Sequence, residues 1–385
     1  MLIKSLLSLT LLIICTIIKA TNPVLNKTEL RVLDIGNSYT NDATALLPLI
    51  TSESKSDVSN LCLYKAIRGG GSFKSWYDVY HNYDTTNTYS VSRVLGGLPS
   101  TAPVGIGDKG DGSLFRSLLT DENWDIIIIH QVSKYAPYYE QWCGNGNGGY
   151  LNELLSIIKQ HQPNAVIGFY LIHSYWDNYE GNKEQSSLDR WKLISSSVRQ
   201  LKEDYGIDFI IPYGTAIENI RASSFNNGYD LTRDGTHCDY GLCRYTAACC
   251  YYEVLIAPRS QISILGNPAR YDASENTSTY PTVSVTDDNA IFAQKAAHCA
   301  VNDWYNCLNP ELYSPHYSLT YILGGVVWKT DSLEYGATIV TPMVPAKEGH
   351  VFTGWSEILE TMPAKDVTIV GDYAQTMFDM GDQIE

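Results

Sequence analysis

Residues 124–130 read Trp-Asp-Ile-Ile-Ile-Ile-His, and the four isoleucines in this stretch decide the fold. A run that is β-branched and apolar on both faces is typical of a strand buried inside a parallel sheet. Four other apolar runs share this character, at residues 31–35, 61–67, 165–172 and 208–212. Because helical patterns separate these runs, the sequence predicts a three-layer α/β/α sandwich around a five-stranded parallel sheet.

The segments between the strands fall into helices and one irregular stretch. Helical spacing of apolar residues predicts helices at residues 43–50, 151–158, 188–201, 241–256 and 289–304. The stretch 83–112 is rich in Thr, Ser and Gly, which favour loops. We therefore expect a long insertion there, near the carboxyl edge of the sheet.

The composition is that of a folded, acidic protein. Of the 385 residues, 44% are hydrophobic and 18% are charged, which predicts a packed core rather than disorder. The formal net charge is -15, and no cluster of Lys and Arg interrupts it. Nucleic acids and anionic membranes attract clustered cations, so the sequence disfavours both as partners.

The first twenty residues are typical of a secretory signal peptide. Lys4 gives a positive start, residues 6–18 are almost continuously apolar, and Ala20 offers a small residue for cleavage. The apolar run is too short for a membrane span. A lipid anchor on Cys15 is the alternative, although Ile14 stands where a small residue is expected. Removal of residues 1–20 predicts a secreted or cell-envelope protein.

Eight cysteines remain after signal removal, and an even number in an exported protein allows disulfides. Cys299 and Cys307 are close in sequence and are a candidate local pair. Cys238 and Cys243, beside His237, leave zinc binding open as an alternative, but their spacing matches no structural zinc pattern. We expect neither a metal nor a cofactor.

The composition changes after Pro310. Beyond it, alternating apolar residues and frequent turns predict short strands, at residues 321–322, 326–327, 337–340, 351–352 and 367–370. The sequence therefore predicts five segments: a signal peptide (1–20), a main domain (28–308), a linker (309–316), a small β-rich domain (317–373) and an acidic tail (374–385).

A candidate nucleophile and a candidate base each follow a predicted strand. Ser38 lies after the first strand and near a helix start, where ligands bind and negative charge is stabilised. Asp234 and His237 follow the last strand, three residues apart, so the carboxylate can orient the imidazole. The alternative is that these residues only cap helices, Ser38 or Asn41 the first one and Asp234 or Thr236 the next.

Two further groups are candidate oxyanion donors. Gly70 lies in Arg68-Gly69-Gly70-Gly71-Ser72 after the second strand, where consecutive glycines let backbone N–H groups approach a ligand. Gln131 follows the isoleucine strand, and its side-chain amide can donate a hydrogen bond. The alternatives are a flexible turn and a polar edge residue without a role.

In order and content, these four groups resemble the four blocks of the SGNH/GDSL hydrolase superfamily over about residues 32–304. Gly36-Asn37-Ser38 is similar to the first block, with Asn where many members have Asp, and Asp234-Gly235-Thr236-His237 is similar to the last. Gln131 replaces the usual Gly-x-Asn-Asp of the third block, as in the branch called DUF4886. The resemblance implies a flavodoxin-like SGNH fold.

The resemblance also implies a mechanism. His237 would take the proton of Ser38, which attacks an ester carbonyl, while Asp234 orients the imidazole. The N–H groups of Ser38 and Gly70 and the amide of Gln131 would hold the oxyanion, and water would then release the acyl group.

The small domain has a likeness of its own. Gly349-His350-Val351-Phe352-Thr353-Gly354-Trp355 and its surroundings resemble one internalin-type B repeat, a β-grasp-like module of bacterial surface proteins. Trp355 is expected in its core. The repeat implies contact with a cell surface.

Two hypotheses of function follow. The first is a secreted serine ester hydrolase acting on a small-molecule or glycan ester, with glycan deacetylation favoured by family tendency and export. The second is a catalytically silent carbohydrate-binding or surface-adhesion protein on the same scaffold. A fluorophosphonate probe, which labels an activated serine, distinguishes them.

Overall fold

The computed structural model describes residues 23–376 apart from residues 84–86, 99–100, 108–110, 178, 180–184, 227, 229 and 276–281. The predicted signal peptide and most of the predicted acidic tail lie outside the described residues. No helix within the described part of the chain is long and apolar enough to cross a membrane.

The parallel core of the central sheet is the predicted one. Within the described residues the sheet has seven strands in the order β4-β3-β2-β1-β5-β6-β7. Five of them run parallel and match the predicted apolar runs: β1 (Leu30–Gly36), β2 (Leu61–Arg68), β5 (Ile126–Ile129), β6 (Val166–Tyr170) and β7 (Phe209–Ile211). Since β5 lies between β1 and β6 and buries all four isoleucines, the five-stranded flavodoxin-like arrangement is confirmed.

Two further strands correct the predicted insertion at residues 83–112. β3 (Tyr89–Gly96) pairs antiparallel with β2, and β4 (Gly105–Gly107) pairs antiparallel with β3 at the edge of the sheet. In β3 the side chains of Tyr89, Val91 and Leu95 are buried, while those between them are partly or fully exposed. A half-buried strand among Thr and Ser residues gives a weak sequence signal, and for this reason a loop was the wrong expectation.

Helices flank the sheet. They are α1 (Ser38–Thr44), α2 (Leu47–Glu53), α3 (Phe73–His81), α4 (Ser113–Thr120), α5 (Leu151–His161), α6 (Ser187–Tyr205), α7 (Tyr213–Arg221), α8 (Leu242–Leu255), α9 (Ala257–Ser260) and α10 (Asp287–Asn302). Helices α1, α2, α7 and α10 contact α8, whereas α3, α4 and α5 contact one another. The one helix predicted at residues 43–50 is two helices, because Pro48 in the first turn of α2 starts a new helix.

The C-terminal residues form a second, smaller sheet. Its strands are β8 (His316–Leu323), β9 (Val326–Glu334), β10 (His350–Trp355) and β11 (Val367–Gln375), in the order β10-β11-β8-β9. The central pair, β8 and β11, is parallel, as in a β-grasp arrangement, and a separate small β domain is thereby confirmed. The strand predicted at residues 337–340 is wrong, because this segment contributes only an isolated bridge between Thr338 and Thr361.

The two sheets have separate hydrophobic cores. The small core contains Leu319, Tyr321, Ile339, Met362 and Ile369, and none of these side chains belongs to the core of the large domain. The boundaries 28–308 and 317–373 stay predictions.

Separate cores predict that the large domain folds alone. We expect a chain that ends at Pro315 to unfold in one cooperative thermal transition, with a midpoint within about 5 °C of the full-length protein. Circular dichroism measures this midpoint. A chain that ends at Pro310 is the matched comparison, because it also lacks Tyr313, whose hydroxyl accepts a 3.1 Å hydrogen bond from Asn302. Loss of cooperative unfolding in the Pro315 variant would show that the domains depend on a shared core.

Candidate active site

Ser38, His237 and Asp234 meet at the carboxyl edge of the large sheet. Ser38 is the first residue of α1, directly after β1, and its Oγ lies 2.9 Å from Nε2 of His237. On the other side of the ring, Nδ1 of His237 lies 2.8 Å from Oδ2 of Asp234. Both are hydrogen-bonding distances, so one imidazole contacts the hydroxyl and the carboxylate at once. This is the geometry of a nucleophile–base–carboxylate triad.

The carboxylate of Asp234 is held by several donors besides the imidazole. Its Oδ1 accepts hydrogen bonds from the backbone N–H of His237 at 2.8 Å and from the N–H and hydroxyl of Thr236 at 3.0 and 2.9 Å. Partial burial raises the pKa of Asp234, but the hydrogen bonds from His237 and Thr236 outweigh it and hold this pKa well below its usual range. Asp234 is therefore ionised whenever the imidazole could act as a base.

The capping roles belong to other residues. Asn37 precedes α1, and its Oδ1 accepts the N–H of Tyr39 at 3.0 Å. Asp239 precedes α8, and its Oδ1 accepts the N–H groups of Gly241 and Cys243. Ser38 and Asp234 are thus available for other contacts.

Asn37 connects the turn between β1 and α1 to two neighbouring segments. Its Nδ2 donates a 3.0 Å hydrogen bond to the carbonyl of Gly71, and its backbone N–H donates to Nε2 of His130 at 3.3 Å. Burial lowers the pKa of His130 to about 4, so the ring is neutral and its Nε2 can accept. An Asp at position 37 could not donate to the carbonyl of Gly71, whereas the amide of Asn37 can.

A second set of side chains fixes the segment that carries Asp234 and His237. The hydroxyl of Tyr39 and Nε2 of His173 each lie 2.7 Å from the carbonyl oxygen of Thr236. Burial lowers the pKa of His173 to about 3, so the ring is neutral and Nε2–H is the donor to this carbonyl. Two donors on one carbonyl restrict the backbone between the candidate carboxylate and the candidate base.

Sequence reasoning missed Tyr39 and His173. One signal existed for His173, a polar residue directly after the strand predicted at residues 165–172, at the edge where the other candidates were found. No local signal existed for Tyr39, because its partner Thr236 is 197 residues away in sequence.

The two candidate oxyanion donors lie in the segments beside Ser38. Gly70 has a φ of 61°, with open space where a Cβ would be. The buried side chain of Gln131 uses Nε2 to donate to the carbonyl of Gly148 at 2.8 Å, and its Oε1 accepts the N–H of Val132 at 2.9 Å. One Nε2 hydrogen remains for another acceptor. Within the described residues neither Gly70 nor Gln131 hydrogen-bonds to Ser38, so their oxyanion roles stay predictions.

A disulfide follows the candidate base directly. Cys238 is bonded to Cys243 in the first turn of α8, where the sequence left zinc binding open. No cluster of three or more metal-ligating side chains occurs in the part of the chain that the structure describes. The predicted pair of Cys299 and Cys307 is wrong, because both are free thiols. Cys299 is buried on α10, whereas Cys307 lies five residues beyond the end of that helix.

Comparisons with known proteins confirm both resemblances. The family model of DUF4886, a domain of unknown function, matches residues 31–279, and that of the Listeria–Bacteroides repeat domain matches residues 317–370. No curated protein matches the sequence.

Solved structures are similar mainly in fold. A DUF4886 family protein from Bacteroides uniformis is 24% identical, with a TM-score of 0.56, over 73% of this chain and 98% of that chain. At this identity the likeness concerns the fold alone. A candidate GDSL-like lipase from Parabacteroides merdae is 14% identical, with a TM-score of 0.38, over 60% of this chain and 96% of that chain.

Close packing around the turn between β1 and α1 predicts that Gly36 is required for stability. A Cβ at Gly36 would lie 2.1 Å from Oγ1 of Thr40 and 2.4 Å from Nε2 of His130. We expect Gly36→Ala to lower the free energy of unfolding by about 1–3 kcal/mol, as overpacking does elsewhere. Urea unfolding measures the change.

The matched control for this variant is Gly69→Ala. A Cβ at Gly69 would meet no atom within 4 Å, so its effect on the free energy of unfolding should stay within about 0.5 kcal/mol. If both variants were equally stable, the close packing around Gly36 would be refuted.

Proposed function

The chain belongs to the DUF4886 family, and we propose that it is a serine ester hydrolase with Ser38 as nucleophile, His237 as general base and Asp234 as the orienting carboxylate. One observation carries the proposal: the side chains of Ser38, His237 and Asp234 form a continuous chain of contacts at 2.9 and 2.8 Å. The ionised state of Asp234 supports it, because a carboxylate is needed to stabilise the imidazolium that forms during the reaction.

In the first half of the reaction, Nε2 of His237 takes the proton from Oγ of Ser38. The oxygen of Ser38 then bonds to the ester carbonyl carbon, and the carbonyl oxygen becomes negatively charged. We assign its stabilisation to the N–H groups of Ser38 and Gly70 and the free Nε2–H of Gln131. The bond to the alcohol breaks as His237 returns its proton to the leaving oxygen, which leaves the acyl group on Ser38.

In the second half, water replaces the alcohol. His237 takes a proton from the water, whose oxygen bonds to the acyl carbon. The bond from that carbon to Oγ of Ser38 then breaks as His237 returns the proton to Oγ, which releases the carboxylic acid. The two donors on Thr236 serve both halves, because they hold the segment that carries His237 while the ring gains and loses charge.

We further propose that the protein acts outside the cytoplasm and that its substrates are acetylated glycans. The signal-like residues 1–20 and the Listeria–Bacteroides repeat at residues 317–370 support an extracytoplasmic site and contact with a cell surface. The disulfide of Cys238 and Cys243 agrees with an oxidising compartment.

The nucleophile assignment predicts the effect of Ser38→Ala. We expect the variant to keep its fold but to lose hydrolysis of p-nitrophenyl acetate by about 10⁴-fold or more, because no attacking oxygen remains. A fluorophosphonate probe should label the wild type and not the variant. Ser156→Ala, which removes an exposed serine of α5, is the control and should behave as the wild type.

Two results would contradict this assignment. Activity of Ser38→Ala within about threefold of the wild type would remove Ser38 from the mechanism, since loss of a nucleophile costs orders of magnitude. A wild type that neither hydrolyses the ester nor binds the probe would favour the silent binding protein instead.

The carboxylate assignment predicts a change in the pH–rate profile. Asp234→Asn should lower the plateau of kcat by about 10²–10⁴-fold, because the amide favours the wrong imidazole tautomer. The acid limb should move to lower pH, since the imidazolium loses the negative charge that stabilises it. His237→Ala is the comparison and should cost at least as much. An unchanged plateau with an unchanged limb would exclude Asp234 from catalysis.

A further inference from the structure

A cavity of about 380 Å³ lies between the glycine segment after β2 and the loop after β5. Its volume is in the range of small-molecule sites, about 300–1,000 Å³. Gly70 lines one wall and Val132 lines the other. We refer to it as the lysine cavity, because Lys74 and Lys134 also line it.

The lysine cavity adjoins the turn between β1 and α1 that carries Ser38. One wall is fixed to Asn37 through the carbonyl of Gly71, the neighbour of Gly70 in the chain. The other wall begins two residues after His130, whose Nε2 accepts the N–H of Asn37. Both walls are therefore held by the residue that precedes Ser38, and both include or adjoin the proposed oxyanion donors. If Gly70 donates to the oxyanion as proposed, an ester attacked by Ser38 lies beside this cavity, and one of its two parts can enter it.

The lining chemistry favours the alcohol part of the ester over a fatty acyl chain. The lining includes the hydroxyl of Ser75, the amide of Asn147 and two lysine ammonium groups, and these groups suit the hydroxyl groups of a sugar. An acetyl group is too small to need such a space, whereas a long acyl chain would leave these polar groups without partners.

The two lysines of the cavity differ in how they are neutralised. Nζ of Lys74 lies 2.6 Å from Oδ2 of Asp78, which balances its charge. Lys134 is exposed and its Nζ lies over the ring of Tyr135, 5.4 Å from the centroid, with no acidic partner among the residues that the structure describes. In a chain of net charge -15, Lys134 thus places an uncompensated positive charge beside the proposed active site.

From this arrangement we infer that the lysine cavity binds the sugar that carries the ester, and that this sugar is a uronic acid whose carboxylate contacts Nζ of Lys134. The inference rests on the proposed function and names its substrate class. A lysine ammonium is a compact point charge, and one carboxylate on the sugar is enough to pair with it. Lys134 would then act in specificity, by raising the affinity for acidic over neutral sugars.

The test compares two probes that differ only in the charged group, acetylated methyl galacturonide and acetylated methyl galactoside. Acetate release gives kcat and KM for each. We expect the wild type to favour the uronide by about threefold in kcat/KM, the usual effect of one exposed ion pair. The preference should fall as salt is raised, because an exposed charge pair is screened.

Lys134→Gln tests the residue directly. We expect this variant to lose the preference for the uronide through a higher KM for that substrate. Lys192→Gln removes the same charge from an exposed lysine that pairs with Asp189 on α6, and it should keep the preference. If the wild type shows no preference, or if Lys134→Gln keeps it, the inference is overturned.

The failure of the inference and the failure of the proposed function give different results. A wild type that hydrolyses p-nitrophenyl acetate but treats the two sugars equally overturns the uronic acid substrate and leaves the esterase in place. A wild type that hydrolyses no ester and binds no fluorophosphonate overturns both.

Discussion

The polar groups of Asn37 hold together three segments that must meet for the site to exist. Its Oδ1 caps the first turn of α1 by accepting the N–H of Tyr39. Its Nδ2 donates to the carbonyl of Gly71 in the glycine segment, and its backbone N–H donates to His130, directly after β5. Asn37 is almost fully buried, so each of these groups needs its partner in place. The position of Ser38, the next residue, depends on all three contacts.

A buried polar layer beneath Ser38 extends this constraint into the sheet. Asp34 of β1 is fully buried, and burial raises its pKa to about 7, although hydrogen bonds from Tyr251 and Thr40 lower it. Oγ1 of Thr40 also lies 3.0 Å from Nε2 of His130, so the layer reaches the groups that hold Asn37. Burying a carboxyl group lowers the stability of the fold. The hydrogen bonds of Asp34 with Thr40 and Tyr251 therefore serve to hold the residues beneath Ser38 in place.

The sequence predicted what depends on local patterns and missed what depends on contacts between distant residues. The isoleucines of β5 predicted the centre of the sheet. Ser38, Asp234 and His237 were predicted to share one edge because each follows a strand, and the carboxyl ends of parallel strands meet at the same edge. The donors from Tyr39 and His173 to Thr236 leave no periodic trace, because each joins residues that are far apart in the chain. Cysteine spacing alone suggested the wrong disulfide pair for another reason: both Cys238–Cys243 and Cys299–Cys307 are close in sequence, and the fold decides which pair meets.

The disulfide next to His237 forms by a different process from the rest of the structure. The sheet and helices follow from the chain and water alone, whereas the bond between Cys238 and Cys243 also needs an oxidant. Removing two electrons is therefore a requirement separate from folding, and it fixes the residues that directly follow the imidazole. The same polypeptide made under reducing conditions would lack this bond, so completion of the segment beside His237 depends on the chemistry of the compartment as well as on folding.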